Sequence, residues 1–167
     1  IVNLLKYIND RGHEIGVHGS YQTYQDKDKA VKQKILLENA LVDAGIEKSI
    51  KGNRQHYLRW DSAVTPAVLA DAGFEYDTSG SYADSAGFRY GVCYEFSMWD
   101  ILNRKKLALK QRPLIVMECS VIDDLYMGLG HCDEAYRVID NLKKNVYKYN
   151  GCFILLWHNS HFLISQD

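Results

Sequence analysis

The 167-residue chain is long enough for one domain with a buried core, and its 47% apolar and 25% charged residues are ordinary for a globular protein. A formal net charge of −1 gives no electrostatic case for nucleic acid or an anionic membrane surface as partner. No apolar run approaches the ~20 residues of a membrane helix, so no helix of this chain is expected to span a bilayer.

Val2, Leu5 and Ile8 recur at helical spacing from the outset and predict a helix over 1–11 with Leu4, Leu5 and Ile8 facing inward, stopped by Gly12. The chain opens at Ile1 directly on this pattern, which reads as a piece cut from a longer protein. Glu14–Val17 predicts a short strand that delivers His18 to a loop softened by Gly19. Asp26 or Asp28 can cap a helix to about Ala44, with Leu37, Ala40, Leu41 and Ala44 on one face and Gly45 as its stop. A strand over 49–53 ends at Arg54. Thr65-Pro66 is a hydroxyl cap with proline in the first turn, and Gly73 closes that helix. Phe74–Asp77 is the next strand, and the glycines, serines and tyrosines of 78–91 predict a long functional loop.

Cys93–Ser97 and Leu114–Cys119 are further predicted strands, the second so apolar that both its faces should be covered. Asp133 can cap the last long helix, with Ala135, Val138, Ile139, Leu142 and Val146 on one stripe and Gly151 at its end. Cys152–Trp157 is then a buried strand that delivers His158. Strands alternating with helices predict an α/β fold with a mostly parallel sheet, open or closed into an irregular barrel, as a single domain over 1–167.

His18, Arg54, Asp77 and His158 each fall at the C-terminal end of a predicted strand, and in a parallel barrel those ends converge on one mouth. His18 suits a metal ligand or a histidine satisfied by backbone hydrogen bonds. Arg54 can hold a carboxylate by a bidentate contact or make a surface ion pair with Asp61 or another nearby carboxylate. His56 admits a catalytic, a substrate-binding or a merely exposed role. His158, ending an apolar run, is poised as a general acid if a carboxylate fixes its tautomer, and with His161 it offers a weak metal pair instead. Twelve tyrosines and three tryptophans suit a sugar-binding surface as well as a core edge. Cys93, Cys119, Cys132 and Cys152 show neither a CxxC pair nor metal spacing, and two of them fall in predicted buried strands, which favours a reducing, cytoplasmic compartment.

Four segments, in order, resemble the polysaccharide deacetylases (the NodB-homology carbohydrate esterases). Gly12-His13-Glu14-Ile15-Gly16-Val17-His18 is similar to their metal-histidine motif, with Gln22 where a second histidine is expected. Arg54-Gln55-His56-Tyr57 stands for Arg-x-Pro-Tyr, with His56 in place of proline. Phe74–Ser79 resembles Gly-Phe-x-Tyr-Asp-Ser, and Leu156-Trp157-His158 resembles the closing Leu-x-His.

The resemblance implies a distorted (β/α) barrel, incomplete here because its Thr-Phe-Asp-Asp strand is absent. It implies hydrolysis of N- or O-acetyl groups on a polysaccharide or surface glycan, aided by a divalent metal, usually zinc, at His18. Arg54 would orient the base, the Tyr57 amide would help hold the oxyanion, and His158 would protonate the leaving group. His56 and Trp99 are the substrate-binding candidates. Gln22 is a poor zinc ligand and catalytic zinc normally takes three protein ligands. The expectation is therefore weak metal binding by this chain alone, with a degenerate carbohydrate-binding or scaffold domain as the alternative.

Overall fold

The computed structural model describes residues 1–162. They fall into two compact units, Ile1–Ser79 with Phe96–Gln111, and Gly80–Glu95 with Arg112–Asp167, of which 163–167 lie outside the described residues.

The first unit runs α1 (Val2–Asp10), β1 (Val17–Gly19), α2 (Lys27–Asp43), β2 (Gly52–Gln55), α3 (Thr65–Asp71), β3 (Tyr76–Asp77), β4 (Phe96–Asp100) and β5 (Lys105–Gln111). Its sheet has the order β1-β2-β3-β5-β4, parallel throughout except where β4 runs antiparallel to β5. The α/β, parallel-rich expectation therefore holds. Among the described residues this sheet stays open and does not close into a barrel. Leu41, Ile50, Leu69, Phe74 and Leu109 form its buried core. α2 packs on α1, α3 and β1, and α3 packs on β5.

The second unit holds β6 (Val116–Met117), α4 (Glu118–Ile122), α5 (Asp133–Lys148) and β7 (Leu155–Leu156). β6 and β7 pair in parallel. Ile115, Val116, Val121, Ala135 and Val146 form a separate core.

Strand boundaries moved more than helix boundaries. β1 lies later than 14–17, so His18 sits inside it, and β2 likewise encloses Arg54. β4 starts at Phe96, and Cys93 is buried in the second unit instead. The expected strand 114–119 shrinks to β6, because the chain turns into α4 at Glu118. Leu114 and Ile115 are fully buried outside that ladder, the Ile115 amide donating to the Ile154 carbonyl at 3.0 Å. β5 went unforeseen, although Leu107, Leu109 and Gln111 alternate inward against exposed Lys106 and Ala108.

Helix ends follow the sequence to within a residue or so, although Cys132 takes the cap position of α5 and Asp133 lies in its first turn. The Asp26 carboxylate accepts from the Lys29 amide at 3.0 Å and caps α2. At its other end Gly45 takes φ +68°, the Gly45 amide donates to Val42 at 2.8 Å, and Ile46 donates to Leu41 at 2.9 Å. This double bond satisfies carbonyls that the helix leaves open, and Ile46 meets Leu41 in the core. α5 ends in the same way with Asn150, not Gly151, in the left-handed region at φ +51°. Asparagine tolerates that conformation better than most side chains. Thr65 is the first helical residue rather than the cap, and its hydroxyl accepts from the Asp61 amide at 2.9 Å.

A Cβ at Gly45 would have no neighbour within 4 Å, so only the backbone would resist it. Gly45→Ala is expected to lower stability by about 1 kcal/mol in urea unfolding. An unchanged midpoint would show that the left-handed cap carries no strain.

Candidate functional site

In the first unit the parallel register sets His18 on β1 beside Arg54 on β2. The His18 ring Nδ1 lies 3.1 Å from the Arg54 carbonyl, which can only accept, so Nδ1 carries the proton and Nε2 keeps a lone pair. His56 Nδ1 lies 3.2 Å from that Nε2 and donates to it, with the two rings edge-on at 5.3 Å. The Arg54 guanidinium donates through Nε to the Thr78 hydroxyl at 2.9 Å. Asp61 Oδ1 accepts from the Ala63 amide at 2.9 Å.

After His56 the chain makes a tight turn in which Tyr57 and Leu58 both take positive φ, +56° and +51°. Two successive non-glycine residues in this region store strain, which concentrates at functional turns. The turn leaves Tyr57 78% exposed, with its ring edge-on to Tyr21 at 6.2 Å. Arg59 is held between rings, its guanidinium carbon 3.7 Å from the Tyr21 centroid and 4.3 Å from that of Tyr24.

Beneath these groups lies a buried polar network. Asp77, with no exposed surface, accepts from the Ser79 amide at 2.6 Å, the Asn53 side chain at 2.7 Å and the Ser79 hydroxyl at 2.9 Å. Gln111 donates to the Asp77 carbonyl at 3.1 Å. Thr23 donates to the Gln55 side chain at 2.7 Å, and the Gln55 amide donates to Ser79 at 2.8 Å. Burial pushes the Asp77 carboxyl up to about 6, against the opposing effect of these donors and of Arg54.

The second unit holds a denser cluster. Glu118 is fully buried at the first turn of α4, and His158 follows β7. The Glu118 Oε1 oxygen accepts from the His158 backbone amide at 2.9 Å and makes a very short contact with the His158 ring Nδ1. Burial alone would raise the Glu118 carboxyl, but the bonds from His158 outweigh it and hold the group below its ordinary value. Its other oxygen has no partner among the described residues. The Cys119 thiol lies 3.4 Å from Glu118 Oε1, 3.8 Å from His158 Nδ1 and 3.7 Å from His161 Nε2. Burial, then the neighbouring Glu118 anion, pushes that thiol up to about 12. Glu118, Cys119 and His161 are grouped closely enough to hold a metal ion.

His18 and Arg54 therefore lie on adjoining strands of the first unit, with His56 and Tyr57 in the turn that follows β2 and Asp77 below, while His158 belongs to the second unit. Trp99 is 53% exposed on β4 opposite Lys106. That position is five residues before Gln111 on β5, about 16 Å along the strand from the end that holds Asp77. Gln22 is engaged by Lys29, whose ammonium donates to its side-chain oxygen at 2.6 Å. Sequence reasoning missed Glu118, and took Cys119 for an inert core thiol. The signal was a lone carboxylate inside an apolar run, since a buried carboxylate needs a charged or donating partner.

No family model and no curated protein matches the chain. Among solved structures it is similar to the 4-alpha-glucanotransferase of Thermococcus litoralis, with a TM-score of 0.54 and 17% identity over 97% of this chain. The match covers 25% of that chain, so the present chain spans about a quarter of its length. At this identity the likeness concerns the fold alone.

Asp77 gives the first unit a defined pH dependence. Its carboxyl stands at about 6 when folded against an ordinary 3.8. Below that lower value both states are protonated. As pH rises the unfolded chain releases its proton first, so this residue's contribution to stability is lost up to about pH 6 and flat above. The gap corresponds to roughly 3 kcal/mol. Between pH 4 and pH 7, urea unfolding of the wild type is expected to lose about that much relative to Asp77→Asn. A difference independent of pH would refute the shifted carboxyl.

Proposed function

We propose that this chain belongs to a hydrolase that removes N- or O-acetyl groups from a polysaccharide or surface glycan, on a distorted (β/α) barrel of the polysaccharide deacetylase type. The observation that carries the reading is the Glu118–His158 pair. A general-acid histidine needs a carboxylate to fix its tautomer, and Glu118 supplies one from a fully buried position. The ordered likeness of four segments to the deacetylase motifs supplies the substrate class.

With Nδ1 committed to Glu118, His158 presents Nε2 outward, and its side chain is 48% exposed. In hydrolysis water adds to the acetyl carbon and the bond from that carbon to the sugar nitrogen or oxygen breaks. The departing atom takes the proton from His158 Nε2, the proton lost by the attacking water passes to solvent, and acetate is left. Glu118 stabilises the imidazolium before the transfer.

The zinc that such enzymes use would polarise the carbonyl and activate water. At His18 the fit is partial. His18 Nε2 and His56 Nδ1 are 3.2 Å apart, near the ~3.3 Å expected of two nitrogens on one tetrahedral zinc. Among the described residues no third side chain completes a three-ligand group there. Gln22, the counterpart of the second metal histidine, is turned to Lys29. This shortfall favours one second reading, a carbohydrate-binding domain of the same fold that has lost turnover.

The test is acetate release by the full-length protein containing this chain, from N-acetylated and O-acetylated glycan oligomers. His158→Ala is expected to lower kcat by 10²–10⁴-fold, on the order of a lost general acid. Acetate release that is indifferent to His158→Ala would sink the mechanism. Glycan binding without any acetate release would establish the second reading instead.

A further inference from the structure

We propose a second cation site, built by Glu118, Cys119 and His161 and selective for a borderline-soft divalent metal such as zinc. It shares no residue with His18 and does not depend on the hydrolase reading. Thiolate, imidazole and carboxylate are the donor types zinc prefers.

The spacing suits one ion. Cys119 Sγ is 3.4 Å from Glu118 Oε1 and 3.7 Å from His161 Nε2, and Glu118 Oε1 is 3.9 Å from His161 Nε2. Ordinary zinc bond lengths at tetrahedral angles put sulfur about 3.5 Å from each neighbouring ligand and oxygen about 3.3 Å from nitrogen. Only the last distance needs more than a few tenths of an ångström of adjustment, and His161 supplies it from a short helical turn at 159–162.

A second, independent observation points to a ligand. Glu118 has no exposed surface, yet its Oε2 lacks a hydrogen-bond partner among the described residues. An unmatched oxygen on a buried carboxylate is costly, and a cation held by both carboxylate oxygens removes that cost. The site also has its outer support, because the His158 backbone amide fixes Oε1 at 2.9 Å. His161 and Cys119 are both partly exposed, which leaves a way in for the ion.

On binding, a metal–sulfur bond forms, the Cys119 S–H bond breaks and its proton passes to solvent. No electron is transferred. The ion competes with the His158 ring for Glu118 Oε1, while the His158 backbone amide can stay on that oxygen.

The probe is Co²⁺ alone, added to the purified protein and followed by absorption. One equivalent per chain is expected to give thiolate-to-cobalt charge transfer in the near ultraviolet with tetrahedral d–d bands, and added Zn²⁺ should erase both. Cys119→Ser should abolish the charge-transfer band, and His161→Ala should weaken Co²⁺ binding at least tenfold. His18→Ala and Cys132→Ser should leave the band in place. If Cys119→Ser fails to fold by circular dichroism, His161→Ala decides alone. Absence of the band in the wild type, its survival in Cys119→Ser, or Co²⁺ affinity unchanged by His161→Ala would each overturn the site.

Discussion

The Glu118 carboxylate has no exposed surface, and the second unit is ordered around that burial. An ionised carboxylate leaves water only where donors replace its hydration. Here the parallel pairing of β6 with β7 carries the chain past Leu156 so that the His158 amide and ring both reach Glu118. Had β7 paired one residue out of register, Trp157 would have taken that place and the carboxylate would have been stranded. The same demand shapes the first unit. Asp77 ends a two-residue strand and takes donors from Ser79 just beyond it and from Asn53 on the neighbouring strand. Strand ends are where backbone ladders stop supplying partners, so side chains must finish the count.

What could be read from the sequence followed the locality of the signal. Helix stops are written in single residues, and Gly12, Gly45 and Gly73 each take the positive φ their positions suggested. Asp26 capped α2 as its spacing implied. Strand limits depend instead on partners distant in the chain. The apolar run 114–119 looks like one strand, but only Val116 and Met117 find a ladder against Leu155 and Leu156. β5 was hidden by its lysines, which make a half-exposed strand resemble a charged loop, although Leu107, Leu109 and Gln111 carry the period of two. The candidate residues His18, Arg54 and His56 were legible because a motif of adjacent residues marks them. The Glu118–Cys119–His161 cluster was not, because His161 lies 42 residues beyond Cys119 and meets it only through tertiary pairing.

At His18 the hydrogen bonds define what chemistry is open. The Arg54 carbonyl fixes the proton on Nδ1, and the lone pair on Nε2 is turned to His56. A proton donated by His56 and a metal ion are alternative answers to the same lone pair. His56 brings a second ring nitrogen to 3.2 Å from His18 Nε2, a separation that suits either answer. The strained turn through Tyr57 and Leu58 holds His56 there, with the His56 and Tyr57 ring centroids 4.4 Å apart.

Glu118 poses the same alternative with opposite charge logic. One oxygen, Oε1, lies within reach of an imidazole proton, a thiol and a second imidazole. A proton shared with His158 needs only that oxygen and leaves Oε2 unmatched. A divalent ion draws on the whole carboxylate, on sulfur and on His161, and neutralises charge that burial otherwise concentrates. Hydrogen bonding to His158 is retained at low metal because it requires no ion, and metal coordination wins where a thiolate ligand makes the ion's binding strong enough to displace it. Glu118 is common to both states, whereas Cys119 and His161 change from spectators to ligands and the His158 ring meets a competitor for its carboxylate partner, so the thiol and the second imidazole together decide between them.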